Sequence, residues 1–492
     1  MSLKLSIVKP FVMRRSGAIE RMRCNPLEVQ REVFRELMIN GSHTSFGEEH
    51  SISDDITYEQ FVSKVPVADY EAFKPYIERM LDGEKDVSAL GRITMFARSS
   101  GTTSARSKYI PISSKAFYNS HMRGMSDVGT IYNTIFPSSG VLSGKVLTLG
   151  GSAQFENNYL VGDLSGIIVW RFAIGSGWFR MPKMETALLT NFDEKCERIC
   201  RECVDENITS FAGVPSWNLA LMGRVLEYTG KSNIREVWPN MELFIHGGIE
   251  MTPYRQAYNN IDGGGINYME TYNASEGFFA IADDLSRDDM LLMLDYDTFY
   301  EFRAGDQIVP LEGVCVGVVY ALIITSSNGL WRYEIGDTIE FTSLDPYRIR
   351  FAGRTRQYIN AFGEEVIVEN SDKAVVAACE ATGAVLGDYM VAPQFMDVGK
   401  KGCHEWLVEF IRPPHNIEAF IEILDGELRS INSDYDAKRL STLSLPSLTV
   451  LGSGTFLRWM RCNNKNKLPR LSNDRKMIEQ VINWIERERE QK

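Results

Sequence analysis

Five hydroxyl residues and a glycine, Ser99-Ser100-Gly101-Thr102-Thr103-Ser104, lie between Arg98 and Arg106, after the apolar lead-in Ile93 to Ala97. Gly101 lets the backbone come close to a ligand, and the amides and hydroxyls can donate to phosphate oxygens. The stretch therefore reads as an anion-binding turn. A plain surface loop would have the same composition, and that reading stays open. It is not a Walker A loop, because the second glycine and the lysine of that motif would fall on Arg106 and Ser107. Two later segments add different chemistry: Tyr272-Asn273-Ala274-Ser275-Glu276-Gly277, and Tyr333-Glu334-Ile335-Gly336-Asp337 followed by Phe351-Ala352-Gly353-Arg354. A nucleotide needs an aromatic face for its base, carboxylates for ribose hydroxyls and for Mg²⁺, and donors for its phosphates. Alone, Tyr272 or Asp337 reads as a structural residue; the combination is what points to a nucleotide.

Other reactive residues carry less. Cys196, Cys200 and Cys203 share one helical face with no histidine or fourth cysteine nearby, so a packed stripe is expected rather than a metal site. His246 ends an apolar run at Gly247-Gly248 and reads as structural more than as a base. Ala212-Gly213-Val214 and His246-Gly247-Gly248 could line a pocket or simply form turns.

The whole chain bounds these readings. Its 492 residues can build a large core and more than one domain, and 44% hydrophobic with 24% charged residues is an ordinary globular composition. A formal charge of −12 without a long basic run argues against a broad nucleic-acid or anionic-membrane surface, while leaving a local anion pocket open. No secretory signal is read at the amino terminus, and Val314 to Ile324 is too short to span a bilayer and is expected to be a buried strand. Eight cysteines in so long a chain are no disulfide framework, so a reducing, cytoplasmic setting is expected.

The elements that must position the candidate residues follow from periodicity. Val29, Val33, Phe34 and Leu37 fit one helical face stopped by Asn40-Gly41-Ser42. Short helices are expected at Tyr58 to Phe61 and at Tyr70 to Met80, the second broken by Pro75, and a longer one from Ser113 to Phe136. Strand, glycine turn and helix then repeat through Val146 to Gly150, Ile208 to Pro215 and Leu243 to Gly248, which predicts a mixed α/β body. Polar Gly353 to Gln357 reads as a hinge. Beyond it, strands near Val366, Val385, Trp406 to Phe410 and Leu448, with helices at Asp372 to Ala381 and Ile417 to Ile431, suggest a small α+β domain. Met477, Ile478, Val481, Ile482 and Ile485 give the tail one apolar helical side.

In order and spacing, Ser99 to Ser104, Tyr272-Asn273-Ala274-Ser275-Glu276 and Tyr333-x-x-Gly336-Asp337 resemble the three motifs of the auxin-responsive acyl acid–amido synthetase family. That family is a branch of the adenylate-forming group that includes acyl-CoA synthetases, peptide-synthetase adenylation domains and firefly luciferase. Phe299-Tyr300-Glu301-Phe302 and Asn466-Lys467-Leu468-Pro469-Arg470 extend the likeness, and a bacterial member of the branch is expected. The resemblance implies an α/β, two-domain adenylate-forming fold, with a large mixed α/β domain over 1–352 and a small mobile α+β domain over 353–492. It also implies ATP and Mg²⁺ as cofactors, and a small carboxylic acid and an amino acid as substrates, with no nucleic-acid or membrane partner.

By the same resemblance, Ser99, Ser100, Gly101, Thr102, Thr103 and Ser104 would form the phosphate loop, supported by Lys108. Tyr272 would stack on adenine, Ser275 would donate to the α-phosphate, and Glu276 would hold Mg²⁺. Asp337 would bind ribose, Arg354 ribose or phosphate, and Lys467 would neutralise charge during adenylation; Lys467 as a plain loop charge is the simpler alternative. The sequence departs from the pattern at Glu334, where the family often has arginine, and Arg106 adds a charge of open role. Acyl-CoA ligase activity and a nucleotide-binding regulatory protein without turnover are the competing functions.

Overall fold

The computed structural model describes residues 3–100, 107–172, 176–355, 357–463 and 468–490. Among these, the dominant element is a sheet of twelve strands that is parallel at one end and antiparallel at the other. Arg180–Met181, Lys145–Thr148, Ile208–Gly213, Leu243–His246 and Asn267–Ala274 run parallel. From Asn267–Ala274 the chain turns back into Gly277–Ile281, and every pairing from there on is antiparallel. The turn at which the sheet changes sense holds Ser275 and Glu276.

Local chemistry explains the parallel half. Ile208–Gly213 is buried over its first four positions, Val214 follows, and Pro215 opens the helix Pro215–Thr229 at its first turn, where no amide bond is lost. Gly230, at φ 66°, ends that helix in the left-handed conformation that glycine adopts freely. A second sheet of four strands holds the hairpin Met95–Ser100 and Ser107–Ile112, in register with Ser99 opposite Lys108 and Ser100 opposite Ser107.

Several expectations shift. Tyr70–Leu81 is one helix running through Pro75, which forgoes its own amide bond and crowds the carbonyl one turn back. The strand expected from Val314 starts at Val319, because Gly317 at φ 78° turns the chain first. Ser114–Ile135 is helical, with a π segment Phe117–Met122 inserted. Gly353 and Arg354 close the strand Tyr347–Arg354, opposite Thr338 and Asp337, at the start of the polar stretch read as a hinge. The cysteine stripe is buried on the helix Phe192–Cys203.

The C-terminal part pairs Val385–Gln394, Cys403–Arg412 and Ser447–Leu451 in a sheet covered by the helices Val368–Thr382 and Ile417–Ile431. One continuous core joins it to the parallel half: Leu219, Met222, Tyr254 and Tyr258 pack in the same cluster as Ile359, Phe362, Ala374 and Tyr389. Tyr254 Oη donates to Ala361 O at 2.5 Å, and Ser216 Oγ to Phe362 O at 3.1 Å. The tail helix Lys476–Glu490 buries Ile478 and Val481. Among the described residues, no helix is long and apolar enough to cross a membrane.

Candidate active site

A cleft of about 890 Å³ opens beside the turn where the sheet changes sense. Its walls include Lys108, Tyr272, Ser275, Glu276, Asp337 and Arg354, so all six of these candidates face one space. Ser99 and Ser100 end the strand that pairs with Lys108. Gly101, Thr102, Thr103, Ser104, Arg106 and Lys467 lie outside the described residues.

The wall is organised around Asp337. Tyr272 Oη donates to Asp337 Oδ2 at 2.7 Å, and Arg354 Nε stands 3.0 Å from Asp337 Oδ1. Oδ1 is buried and accepts no aligned hydrogen bond. Burial pushes the Asp337 carboxyl up, against the opposing pull of Arg354 and Tyr272. Arg354 also pairs with Glu365 at 3.0 Å; burial works against its charge, yet Glu365 and Asp337 hold it firmly protonated. Tyr272 is 8% exposed, and its ring packs against Phe279 and Phe351 with centroids at 5.0 and 5.7 Å.

Glu276 occupies the other side. Burial drives its carboxyl up to about 7, opposed mainly by Lys108. Asn328 Nδ2 donates to Glu276 O at 3.1 Å and so fixes the turn from behind. Lys108 is itself pushed down by burial, and its ammonium sits 5.3 Å from the centroid of the Tyr70 ring. A buried carboxyl at the switch point of the sheet, facing one partly desolvated ammonium, is suited to a cation or to polyanion chemistry.

Glu334 is accounted for: Arg303 Nη1 pairs with its Oε2 at 2.7 Å, so the charge is satisfied within the sheet. His246 lines the cleft, but burial lowers its imidazole to about 3, leaving it neutral and a poor base. Sequence reasoning missed Glu365, which no motif marks, as well as Glu270, Asn360 and Asn473 on the same walls. Asn360 N donates to Asn473 Oδ1, which brings the segment after Lys467 back to the cleft edge.

The GH3 family N-terminal domain matches residues 15–157 and 149–265, the GH3 family central domain 291–354, and the GH3 family C-terminal domain 369–476. A 4-substituted benzoates-glutamate ligase of Arabidopsis thaliana is 23% identical over 446 residues, covering 75% of this chain and 77% of that protein. An indole-3-acetic acid-amido synthetase of the same plant is 23% identical over 89% of this chain and 87% of its own length. Among solved structures, an Arabidopsis acyl acid amido synthetase in complex with 2,4-DB superimposes with TM-score 0.62 at 17% identity, covering 94% of this chain and 95% of that one. A 2-hydroxyisobutyryl-CoA ligase superimposes with TM-score 0.58 at 15% identity, over 94% and 92%, a likeness of fold. The curated relatives named here are plant proteins and lend no support to a bacterial source.

Proposed function

This chain belongs to the GH3 family and is an ATP-dependent acyl acid–amido synthetase, and we propose that the cleft beside Glu276 is where it works. A carboxylate oxygen attacks the α-phosphorus of ATP, the bond to the β-phosphate oxygen breaks, and pyrophosphate leaves. The amine of an amino acid then attacks the acyl carbon, the carbon–oxygen bond to AMP breaks, and the nitrogen loses a proton. A free carboxylate is a poor acyl donor, whereas AMP is a competent leaving group, so the first step makes the second feasible.

The reading is supported by the convergence of Lys108, Tyr272, Ser275, Glu276, Asp337 and Arg354, drawn from distant segments, on one space. Asp337, held by Tyr272 and ion-paired with Arg354 on the cleft wall, would bind a ribose hydroxyl. Tyr272 would stack on the adenine base. Ser99 to Ser104, with Lys108, would receive the phosphate chain, and Ser275 would donate toward the α-phosphate. Lys467 would add positive charge as adenylation proceeds.

Glu276 fits a divalent cation. Mg²⁺ takes one or two carboxylates and completes its shell with phosphate oxygens and water, and a buried carboxyl short of positive partners gains from such an ion. When bound, Mg²⁺ would neutralise charge developing on the phosphates. All eight cysteines are free, which suits a reducing compartment such as the cytoplasm. The division of labour we favour has a large domain over 1–352 and a small one over 353–492, with the cleft between them.

ATP–pyrophosphate exchange across a panel of carboxylic acids tests the proposal. Acid-dependent exchange, followed by AMP and amide formation with amino acids, is expected. No exchange with any acid overturns it, and nucleotide binding without exchange would instead mark a regulatory protein. Thioester formation with coenzyme A outpacing amide formation would mark an acyl-CoA ligase.

A further inference from the structure

Glu364 lies fully buried in the loop that joins the short paired strands Tyr358–Ile359 and Val366–Ile367, and no nucleotide motif marks it. Its carboxylate gathers that loop. Oε1 accepts from Ala361 N at 3.2 Å and Oε2 from Phe362 N at 2.7 Å, so two consecutive loop amides find an acceptor. His404 Nε2 donates to Oε1 at 2.8 Å, the role left to it by a carboxylate already accepting from the backbone. His404 is equally buried and stands on Cys403–Arg412, the middle strand of the C-terminal sheet. Burying a carboxylate is costly unless it is paired and hydrogen-bonded, and three donors meet this one. The carbonyls of the same two loop residues are held from the parallel half of the large sheet, Ala361 O by Tyr254 Oη and Phe362 O by Ser216 Oγ.

The consequence falls on Glu365. It has φ 41°, a left-handed conformation that a residue with a side chain adopts at a cost, two residues after Gly363 at φ 93°. Asn360 Oδ1 accepts from Glu365 N, and Asn432 Nδ2 donates to Glu365 O, each at 3.2 Å. So set, Glu365 turns its carboxylate to Arg354 at 3.0 Å, and Arg354 stands 3.0 Å from Asp337 Oδ1. Glu365, Arg354 and Asp337 all line the cleft. A loop without its buried anchor would let Glu365 relax from the left-handed conformation and draw its carboxylate away from Arg354.

We propose that Glu364, with His404 as its donor, is a positioning residue for ATP: it holds the loop so that Glu365 orients Arg354, and Arg354 orients Asp337, toward the nucleotide. The inference rests on the amido synthetase reading above. Being fully buried, Glu364 acts only through these residues.

The test measures the KM for ATP and for the carboxylic acid, by acid-dependent pyrophosphate exchange, in wild type, Glu364→Gln, Glu365→Gln, the double variant, His404→Gln and His404→Phe. In Glu364→Gln the KM for ATP should rise about tenfold, the worth of one hydrogen bond to a charged group, while the KM for the acid stays within about twofold. A merely structural staple would lower the fraction of folded enzyme and hence the rate, moving neither KM. Glu365→Gln should raise the ATP KM to the same extent and the double variant no further, because one residue acts through the other. His404→Gln keeps a donor in place of Nε2 and should keep the wild-type ATP KM, which His404→Phe should raise. An unmoved ATP KM in Glu364→Gln, an equal rise for the acid, or additive effects in the double variant overturn the proposal, as does an equal ATP KM in the two His404 variants.

If Glu364→Gln fails to fold, Glu365→Gln and the His404 pair decide. Glu365 is partly exposed, so its variant should fold; an ATP KM unmoved there breaks the path from Glu364 to the nucleotide and overturns the role. If wild type shows no exchange with any acid, the amido synthetase reading fails, and calorimetric titration with ATP carries the same comparison. Binding about tenfold weaker in Glu364→Gln is expected; equal binding, or none by wild type, overturns the positioning role.

Discussion

Tyr272 and Asp337 come from strands far apart in the chain and are joined by a 2.7 Å hydrogen bond on the cleft wall. The carboxylate therefore has one oxygen held by the tyrosine and the other ion-paired with Arg354 at 3.0 Å. Tyr272→Phe removes a donor to a buried charged acceptor and should cost about 1.5–3 kcal/mol of stability by denaturant titration. Asp337→Asn should raise the KM for ATP about tenfold or more and abolish any preference for ATP over its 2′-deoxy analogue. Retention of that preference in Asp337→Asn would remove the ribose role.

Some of this site was readable before folding. The turn Ser275-Glu276-Gly277 and the acid Asp337 could be named because residue type and order limited what they might do. The pairing of Arg354 with Glu365 could not be named, since it depends on the chain folding back through the paired strands Tyr358–Ile359 and Val366–Ile367. Likewise, nothing in the local sequence shows that the sheet changes from parallel to antiparallel between Asn267–Ala274 and Gly277–Ile281, since that depends on which distant strands pair.

Glu334 stands where the family often has arginine, and its partner Arg303 makes the exchange testable. Glu334→Arg places two cations side by side on a partly exposed surface and should destabilise the fold by about 0.5–1 kcal/mol. The reversed pair, Arg303→Glu with Glu334→Arg, should recover most of that loss in a double-mutant cycle. Glu334→Ala should leave pyrophosphate exchange near the wild-type rate; a large fall would assign Glu334 a part in the chemistry.

Glu270 predicts a pH dependence of stability. Burial, reinforced by Glu250, raises its carboxyl from 4.5 to about 7, with Arg255 opposing. The folded protein thus binds this proton more tightly than the unfolded chain, and stability from this group is lost as pH climbs from about 4.5 to about 7. Glu270→Gln removes the charged form and should be more stable than wild type by about 1–3 kcal/mol at pH 8. At pH 5, where the folded carboxyl is protonated, the gain should largely vanish. An equal difference at both pH values in urea unfolding would exclude ionisation as its cause.

Glu276→Gln keeps the shape of the side chain and removes its capacity for negative charge. If this carboxylate holds Mg²⁺, the free Mg²⁺ needed for half-maximal exchange should rise about tenfold and the saturated rate should fall by about 10²-fold. Folding should survive, because the amide avoids the cost of burying a carboxylate and Asn328 binds the backbone carbonyl rather than the side chain. Stability measured in the absence of metal should therefore equal or exceed that of wild type. Exchange in Glu276→Gln with an unaltered Mg²⁺ response would take the ion away from this residue and return Glu276 to a purely electrostatic partnership with Lys108.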